Sequence, residues 1–511
     1  MVKYMKKIRI LSKASTLAQT AIEKHSSIFM KRKFYVLAGI LATCLALSLG
    51  STFAQSTEIS VSITAINMAW TLVMGALVWF MQLGFAYFGA GLLRSKNQVN
   101  YWTKSYLDFS VGVVVFALIG FGLMFGGSGA SFPTGIDAAG EVVWTTLPGL
   151  ADGNAFIGWS GFGLIGEASS PLTLTYFFWQ AVFAATTVTI VAGMVAERMK
   201  VQAYLFYTIL INILIYPVYG HWMWGGGWLA TLPFGVGARD FAGSSVVHAV
   251  GAFTGLAGAM LLGPRIGKFG KDGKPRTFPY TNIPYIVAGT MILFLGWFGF
   301  NPGSTLGTSD FQTATIAVNT YLAGGVAATV AAFITIFDKK NFKGLDVVAV
   351  CTAALGGLVA ITAPCAFVAP WAAMIIGLIA GPIAIYGNFF VERVLKVDDP
   401  VGAFGVHGFN GLFGMLAIGL FADGSYGGVQ GILVNGGAGV GQLIAQLIAM
   451  ATVAGFAFGM GLVIFGAIKY TIGLRAPPKD ELEGLDRSEH GFPAYPELEM
   501  KSEAEIGEPQ P

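Results

Sequence analysis

Eleven apolar runs govern what this chain can fold into: roughly 67–93, 106–126, 172–197, 203–224, 244–263, 284–303, 313–337, 345–364, 370–395, 402–422 and 440–472. A bilayer span needs about 17–25 predominantly apolar residues. In hydrocarbon every backbone N–H and C=O must be satisfied within the segment, so runs of this length read as helices. Only 11% of the 511 residues are charged and 55% are hydrophobic, against about 25% charged in a soluble domain. The 70 glycines suit helices that approach one another closely in lipid. The expected fold is therefore an all-α membrane protein of eleven transmembrane helices.

The distribution of charge tests that count. With the first span entering from outside, the inside loops carry fifteen basic residues, in the groups Arg94 to Lys104, Arg198 and Lys200, Arg265 to Arg276, Lys339 to Lys343, and Arg393 and Lys396. The outside loops carry one, Arg239. Lys and Arg accumulate in cytoplasmic loops, so the expected orientation is N-out/C-in. Residues 476–511 then form an acidic cytoplasmic tail, with Pro477 and Pro478 marking its start. At the other terminus Lys31, Arg32 and Lys33 precede the apolar stretch Phe34 to Leu49 and the small residues up to Ala54. That order is the pattern of a secretory signal peptide cleaved after Ala54; an uncleaved extra helix is the alternative. Residues 1–54 are thus extension and signal, and 55–475 the membrane domain. The cell's inner (plasma) membrane is the expected location, with the mature N-terminus outside.

Two histidines fall well inside spans, His248 in the fifth and His407 in the tenth. Each lies eight residues after an aspartate, Asp240 or Asp399, and seven before a glycine, Gly255 or Gly414. The copies are five helices apart, so they enter from opposite faces, the signature of an inverted five-helix repeat with its functional site near the midplane. Eight helical residues rise about 12 Å. From opposite faces of a core about 30 Å thick, the two imidazoles come within about 6 Å in depth. Ionisable groups inside the membrane are costly and mark a pathway more often than a packing accident. No further His, Cys or carboxylate sits at ligand spacing, so neither a metal nor any other cofactor is expected. Cys351 and Cys365, fourteen residues apart on one predicted helix, should not pair.

At these residues the chain resembles the Amt/Mep/Rh family of ammonium transporters. Asp240-Phe-Ala-Gly-Ser-Ser-Val-Val-His248, continuing to Gly263-Pro-Arg265, is similar to its signature, and Phe404-Gly-Val-His407-Gly to its second histidine motif. Gly91-Leu-Leu-Arg-Ser-Lys-Asn97, Gln180-Ala-Val-Phe183-Ala, Ala196-Glu-Arg198 and Trp224-Gly-Gly-Gly227 also match. So do Gly296-Trp-Phe-Gly-Phe300-Asn-Pro-Gly-Ser304 and Gly484-Leu-Asp-Arg-Ser-Glu-His490-Gly, all in family order over about residues 67–491. The resemblance implies that His248 and His407 are twin pore histidines beneath a gate of Phe183 and Phe300. It implies an ammonium recruitment site of Trp224 and Ser304 with Trp179 beside the gate, and a mainly structural Asp240 at that vestibule. It also implies a homotrimer with one pore per subunit, ammonium or ammonia as cargo, and a P-II-type signalling protein at the cytoplasmic mouths. Nucleic acid is not an expected partner. Trp179, in place of the Phe of many bacterial members, and Gln82-Leu-Gly-Phe-Ala are closer to the plant-like branch, and the segment from Trp224 to Asp240 is longer than usual.

The residue chemistry fits that cargo. Aromatic faces attract a cation by about 0.5–2 kcal/mol, and a serine hydroxyl accepts a hydrogen bond. An intact charge is expensive to move through an apolar pore, whereas ammonium can give up a proton and cross as ammonia. Histidine can relay it, since either ring nitrogen donates or accepts. Three other classes compete. A carrier for an anionic or zwitterionic organic substrate is disfavoured because charged residues are expected to be absent from mid-helix, and a membrane enzyme because no nucleophile or carboxylate pairs with the histidines. An ammonium sensor signalling through the tail, where Ser488 is a candidate regulatory position, and an Rh-type neutral gas channel stay open.

Overall fold

The computed structural model describes residues 63–137, 141–308 and 312–496; the expected signal peptide lies outside the described residues. The helices are α1 (Ile63–Leu92), α2 (Ser95–Phe125), α3 (Pro171–Val195), α4 (Val201–Met223), α5 (Ser244–Leu262), α6 (Ile283–Gly303), α7 (Gln312–Phe337), α8 (Val347–Thr362), α9 (Pro370–Arg393), α10 (Phe404–Phe421) and α11 (Ile432–Thr471). Among the described residues, ten are long and apolar enough to cross a membrane, and α8, at 16 residues, is the shorter apolar helix. Asp346 fixes where α8 starts, accepting from the backbone of Val348 and Ala349 at 2.9 and 3.0 Å, a side-chain cap for otherwise orphaned N–H groups.

Helices α3, α5 and α10 form the buried centre, while α1, α6, α7 and α11 turn wide apolar faces outward. Val73, Met291, Phe333 and Val463 are more than half exposed, as side chains facing lipid should be. Helices α1 and α6 cross with their backbones almost touching. A Cβ at Gly289 would lie 2.4 Å from the Phe88 nitrogen and 2.7 Å from the Gly84 oxygen, so only glycine fits there.

Two departures from the expected pattern stand out. The long loop between α2 and α3 carries an antiparallel hairpin, β1 (Ser131–Ile136) with β2 (Val142–Thr146), which the all-helical expectation missed. Its β-branched residues suit a strand, and Asn67 Nδ2 on α1 donates to the Pro133 carbonyl at 3.0 Å. The second departure is at α2, which starts at Ser95 rather than 106 and so takes Lys104 into the same helix as Asp108. Both are buried, at 3% and 0% exposure. The expectation that charge is absent from mid-helix is therefore corrected: Lys104 donates to the Met199 carbonyl at 2.6 Å, and Asp108 accepts from the Tyr204 hydroxyl on α4.

The end of the bundle opposite the hairpin is held by ion pairs. Glu197 Oε2 lies 2.8 Å from both Arg94 and Arg265, and Arg265 Nε lies 2.9 Å from Asp398. The tail closes over this end. Its short helix α12 (Pro478–Glu483) places Glu481 on Arg475 at 2.7 Å, and Asp486 Oδ1 accepts from the Asn100 backbone at 2.9 Å.

Candidate functional site

The histidine segments share one local structure. Ser244–Ala249, with His248, and Phe404–Phe409, with His407, are both π turns that open their helices. Such widened turns occur at functional sites because they re-aim side chains. The first is held by Asp240. Its Oδ1 accepts from the backbone of Gly243 and Ser244 at 2.8 and 2.9 Å, and its Oδ2 from Ser245 and Val246 at 2.7 and 3.0 Å. The Ser245 hydroxyl donates to the same Oδ2 at 2.7 Å. With both oxygens occupied, Asp240 shapes the turn and has little left to offer a solute. Asp399 makes the matching cap from Phe404 at 2.8 Å; its Oδ1 is buried with no partner among the described residues.

The two turns bring the imidazoles together. The Nδ1 atoms of His248 and His407 lie 3.1 Å apart, with rings 18° from parallel. Exposure is 0% and 5%. If both rings are neutral, one proton sits between the Nδ1 atoms, so one Nε2 is a donor and the other an acceptor. His248 Nε2 has no hydrogen-bond partner among the described residues.

Aromatic rings continue the column on the hairpin side. Phe300 stacks on His248 at 5.4 Å, and Phe183 packs on Phe300 at 4.4 Å. Trp179 and Trp224 meet Phe183 edge-on at 4.7 and 6.1 Å. Trp224 is only half-buried, and its Nε1 donates to the Asp240 carbonyl at 2.7 Å, which pins the two ends of the long Trp224–Asp240 segment together. Ser304 ends α6 one turn beyond Phe300 and donates to the Phe300 carbonyl at 2.7 Å; that bond leaves its oxygen able to accept. All eight singled-out residues thus line or brace one column.

Sequence reasoning passed over three contributors. Trp297 stacks on His248 at 5.4 Å and is fixed by its Nε1 bond to Thr362 Oγ1 at 2.8 Å. It sits three residues before Phe300, so helical spacing would have found it. Phe85, on α1, lies 6.2 Å from His407. Thr189, two turns after Phe183 on α3, joins Phe85 and His407 around a cavity of about 20 Å³. Further towards the tail end opens a larger cavity of about 360 Å³, with Arg265, Lys268, Asp346, Glu392 and Asp399 on its walls.

Fold and site together define a helical membrane protein with a buried column of aromatic rings that ends on two touching histidines. Residues 69–495 match the family model described as the Ammonium Transporter Family, and the chain belongs to that family. Ammonium transporter Amt2 of Archaeoglobus fulgidus is 45% identical over 441 residues, covering 84% of this chain and 88% of its own. Ammonium transporter 1 member 3 of Solanum lycopersicum is 35% identical, covering 88% and 97%. Among solved structures, a sensor Amt protein superposes with a TM-score of 0.72 at 34% identity, covering 84% and 99%. Candida albicans Mep2 gives 0.68 at 25% identity, covering 81% and 87%.

Proposed function

We propose that this chain takes up ammonium by holding NH4+ at Trp224, Ser304 and Trp179, removing a proton, and passing ammonia between Phe183 and Phe300 to His248 and His407. The proton travels separately and rejoins ammonia on the far side, so charge moves. The observation that carries this reading is the Nδ1–Nδ1 contact of 3.1 Å inside an otherwise aromatic passage. Ammonia needs both a donor for its lone pair and acceptors for its hydrogens, and the proton-sharing pair presents one of each. An alkylammonium has a reference pKa near 10.4, which desolvation lowers, so an apolar passage favours deprotonation. Potassium has no proton to give and is refused.

In this reading all eleven helices span the plasma membrane as an inverted five-helix repeat. The hairpin end and mature N-terminus are outside; the tail is cytoplasmic. The matching π turns in α5 and α10 support the repeat, and the basic tail-end loops support the orientation. The protein assembles as a homotrimer, its exposed apolar helix faces meeting lipid and neighbouring subunits, and a P-II-type signalling protein engages the cytoplasmic mouth. A sensor role is the second reading, favoured by the likeness to the sensor Amt protein and by a tail that docks on the mouth helices.

The test is current from purified protein on a solid-supported membrane after an ammonium pulse and then a potassium pulse, with His248→Ala beside the wild type. Current with ammonium alone, altered in the variant, is the expected result. Ammonia entry by internal pH without current would make the passage a neutral channel; neither signal would make the protein a sensor.

A further inference from the structure

A second polar system lies beside the passage and plays no part in the reading above. Asp108 on α2 is fully buried, and its Oδ2 has no hydrogen-bond partner among the described residues. Its Oδ1 accepts from the Tyr204 hydroxyl on α4. Lys104, one turn earlier on the same face of α2, donates to the Met199 carbonyl at 2.6 Å and lies 3.9 Å from Glu489 of the tail. On the other side, α3 packs against α2 and carries Thr189, which donates to Gln82 Oε1 at 2.7 Å. Thr189 also lines the cavity of about 20 Å³ that touches His407, enough for a single water. A buried, half-satisfied carboxylate in a membrane protein is costly and calls for a role.

We propose that Thr189, Asp108, Lys104 and Glu489 are the limb along which the proton leaves the twin histidines for the tail end. This rests on the charge-moving reading of the passage. The proton leaves the His407 imidazolium through a water in the small cavity and the Thr189 hydroxyl, and converts the Asp108 carboxylate into its acid. Lys104 gives a proton to the Glu489 carboxylate and takes one back from Asp108; Glu489, which is partly exposed, then releases its proton to solvent at the tail end, so each group returns to its starting state and one proton has crossed. Tyr204 holds Asp108 in place. Ammonia, which has no need of these groups, stays in the aromatic passage, and the two species descend side by side.

The test uses the full-length protein in proteoliposomes, with charge movement read on a solid-supported membrane and ammonia entry read by an internal pH dye. Asp108→Asn keeps the size of the side chain and an acceptor for Tyr204 but cannot take up a proton. The expected result is a fall in current of about tenfold or more, within the range that a positioned proton-transfer group contributes, with ammonia entry retained and current restored by Asp108→Glu. Unchanged current in Asp108→Asn would overturn the proposal. So would loss of both signals in a monodisperse variant, which would make Asp108 structural. Should Asp108→Asn fail to fold, Thr189→Val removes the hydroxyl between cavity and cluster and is read by the same pair of signals. Absence of current in the wild type would instead remove the charge-moving reading itself.

Discussion

Asp240 holds Ser245 twice, through its backbone N–H and through its hydroxyl, both at 2.7 Å from the same carboxylate oxygen. The neighbouring Ser244 hydroxyl donates to the Val359 carbonyl at 2.7 Å and accepts from the Ala363 backbone at 2.7 Å. The cap therefore fixes both the start of α5 and its docking on α8. Asp240→Ala leaves four buried N–H groups without their acceptor. A cost of about 2–5 kcal/mol is expected from lost capping and unsatisfied donors, with Asp240→Asn losing less. Thermal unfolding in detergent measures it, and an unaltered midpoint in the alanine variant would remove Asp240 from its structural role.

How much of this was readable beforehand depends on what kind of signal each feature leaves. The spans were legible because lipid tolerates only long apolar helices, and the twin histidines because ionisable residues are conspicuous against that background. The π turns around His248 and His407 were not, since a widened turn leaves no apolar periodicity. Asp108 escaped notice for a different reason. Its hydrogen bond comes from Tyr204, on α4, and a partner distant in sequence is invisible to a reading that moves along the chain. The hairpin was hidden in a loop whose strands are only six and five residues long, the first interrupted by Pro133 and Gly135.

Phe183 is the ring on which the hairpin side of the column depends, touching Trp179, Phe300 and Trp224. Phe183→Ala removes these three contacts and, in the proposed pathway, opens a route for a hydrated ion to His248. The expected phenotype is a potassium-evoked current absent from the wild type, with ammonium still conducted. Folding stability should fall by about 3–5 kcal/mol, as for other buried Phe to Ala changes. Paired ammonium and potassium pulses decide it, and continued refusal of potassium would place the gate elsewhere.

Gly289 tests the packing rather than the site. Because an added Cβ would meet backbone atoms of α1 at 2.4 and 2.7 Å, no side-chain rotation relieves it. Gly289→Ala should force α1 and α6 apart at a cost of about 1–3 kcal/mol, and Gly289→Leu should abolish folded protein. Gly325, whose Cβ would meet nothing within 4 Å, is the control: Gly325→Ala should leave the elution profile in size-exclusion chromatography unchanged.

At the tail end, burial alone would push the Glu197 carboxyl up, but Arg265 and Arg94 outweigh it and hold it below the usual range. Asp398 is shifted the same way, burial again being overcome, here by Arg198 and Arg265. A carboxyl whose folded pKa lies below its unfolded value, about 4.3 for Glu, stabilises the protein above that unfolded value. The contribution is lost as pH falls through the folded one. The network is therefore complete at neutral pH, and its loss is confined to pH below about 4. Glu197→Gln removes the charge that both arginines share, with an expected cost of about 3–5 kcal/mol at pH 7. It should also flatten the acid limb of the stability profile, Asp398 supplying what slope remains. Unfolding midpoints from pH 3 to 8 for both proteins provide the comparison, and parallel curves would show that Glu197 contributes no pH-dependent stability.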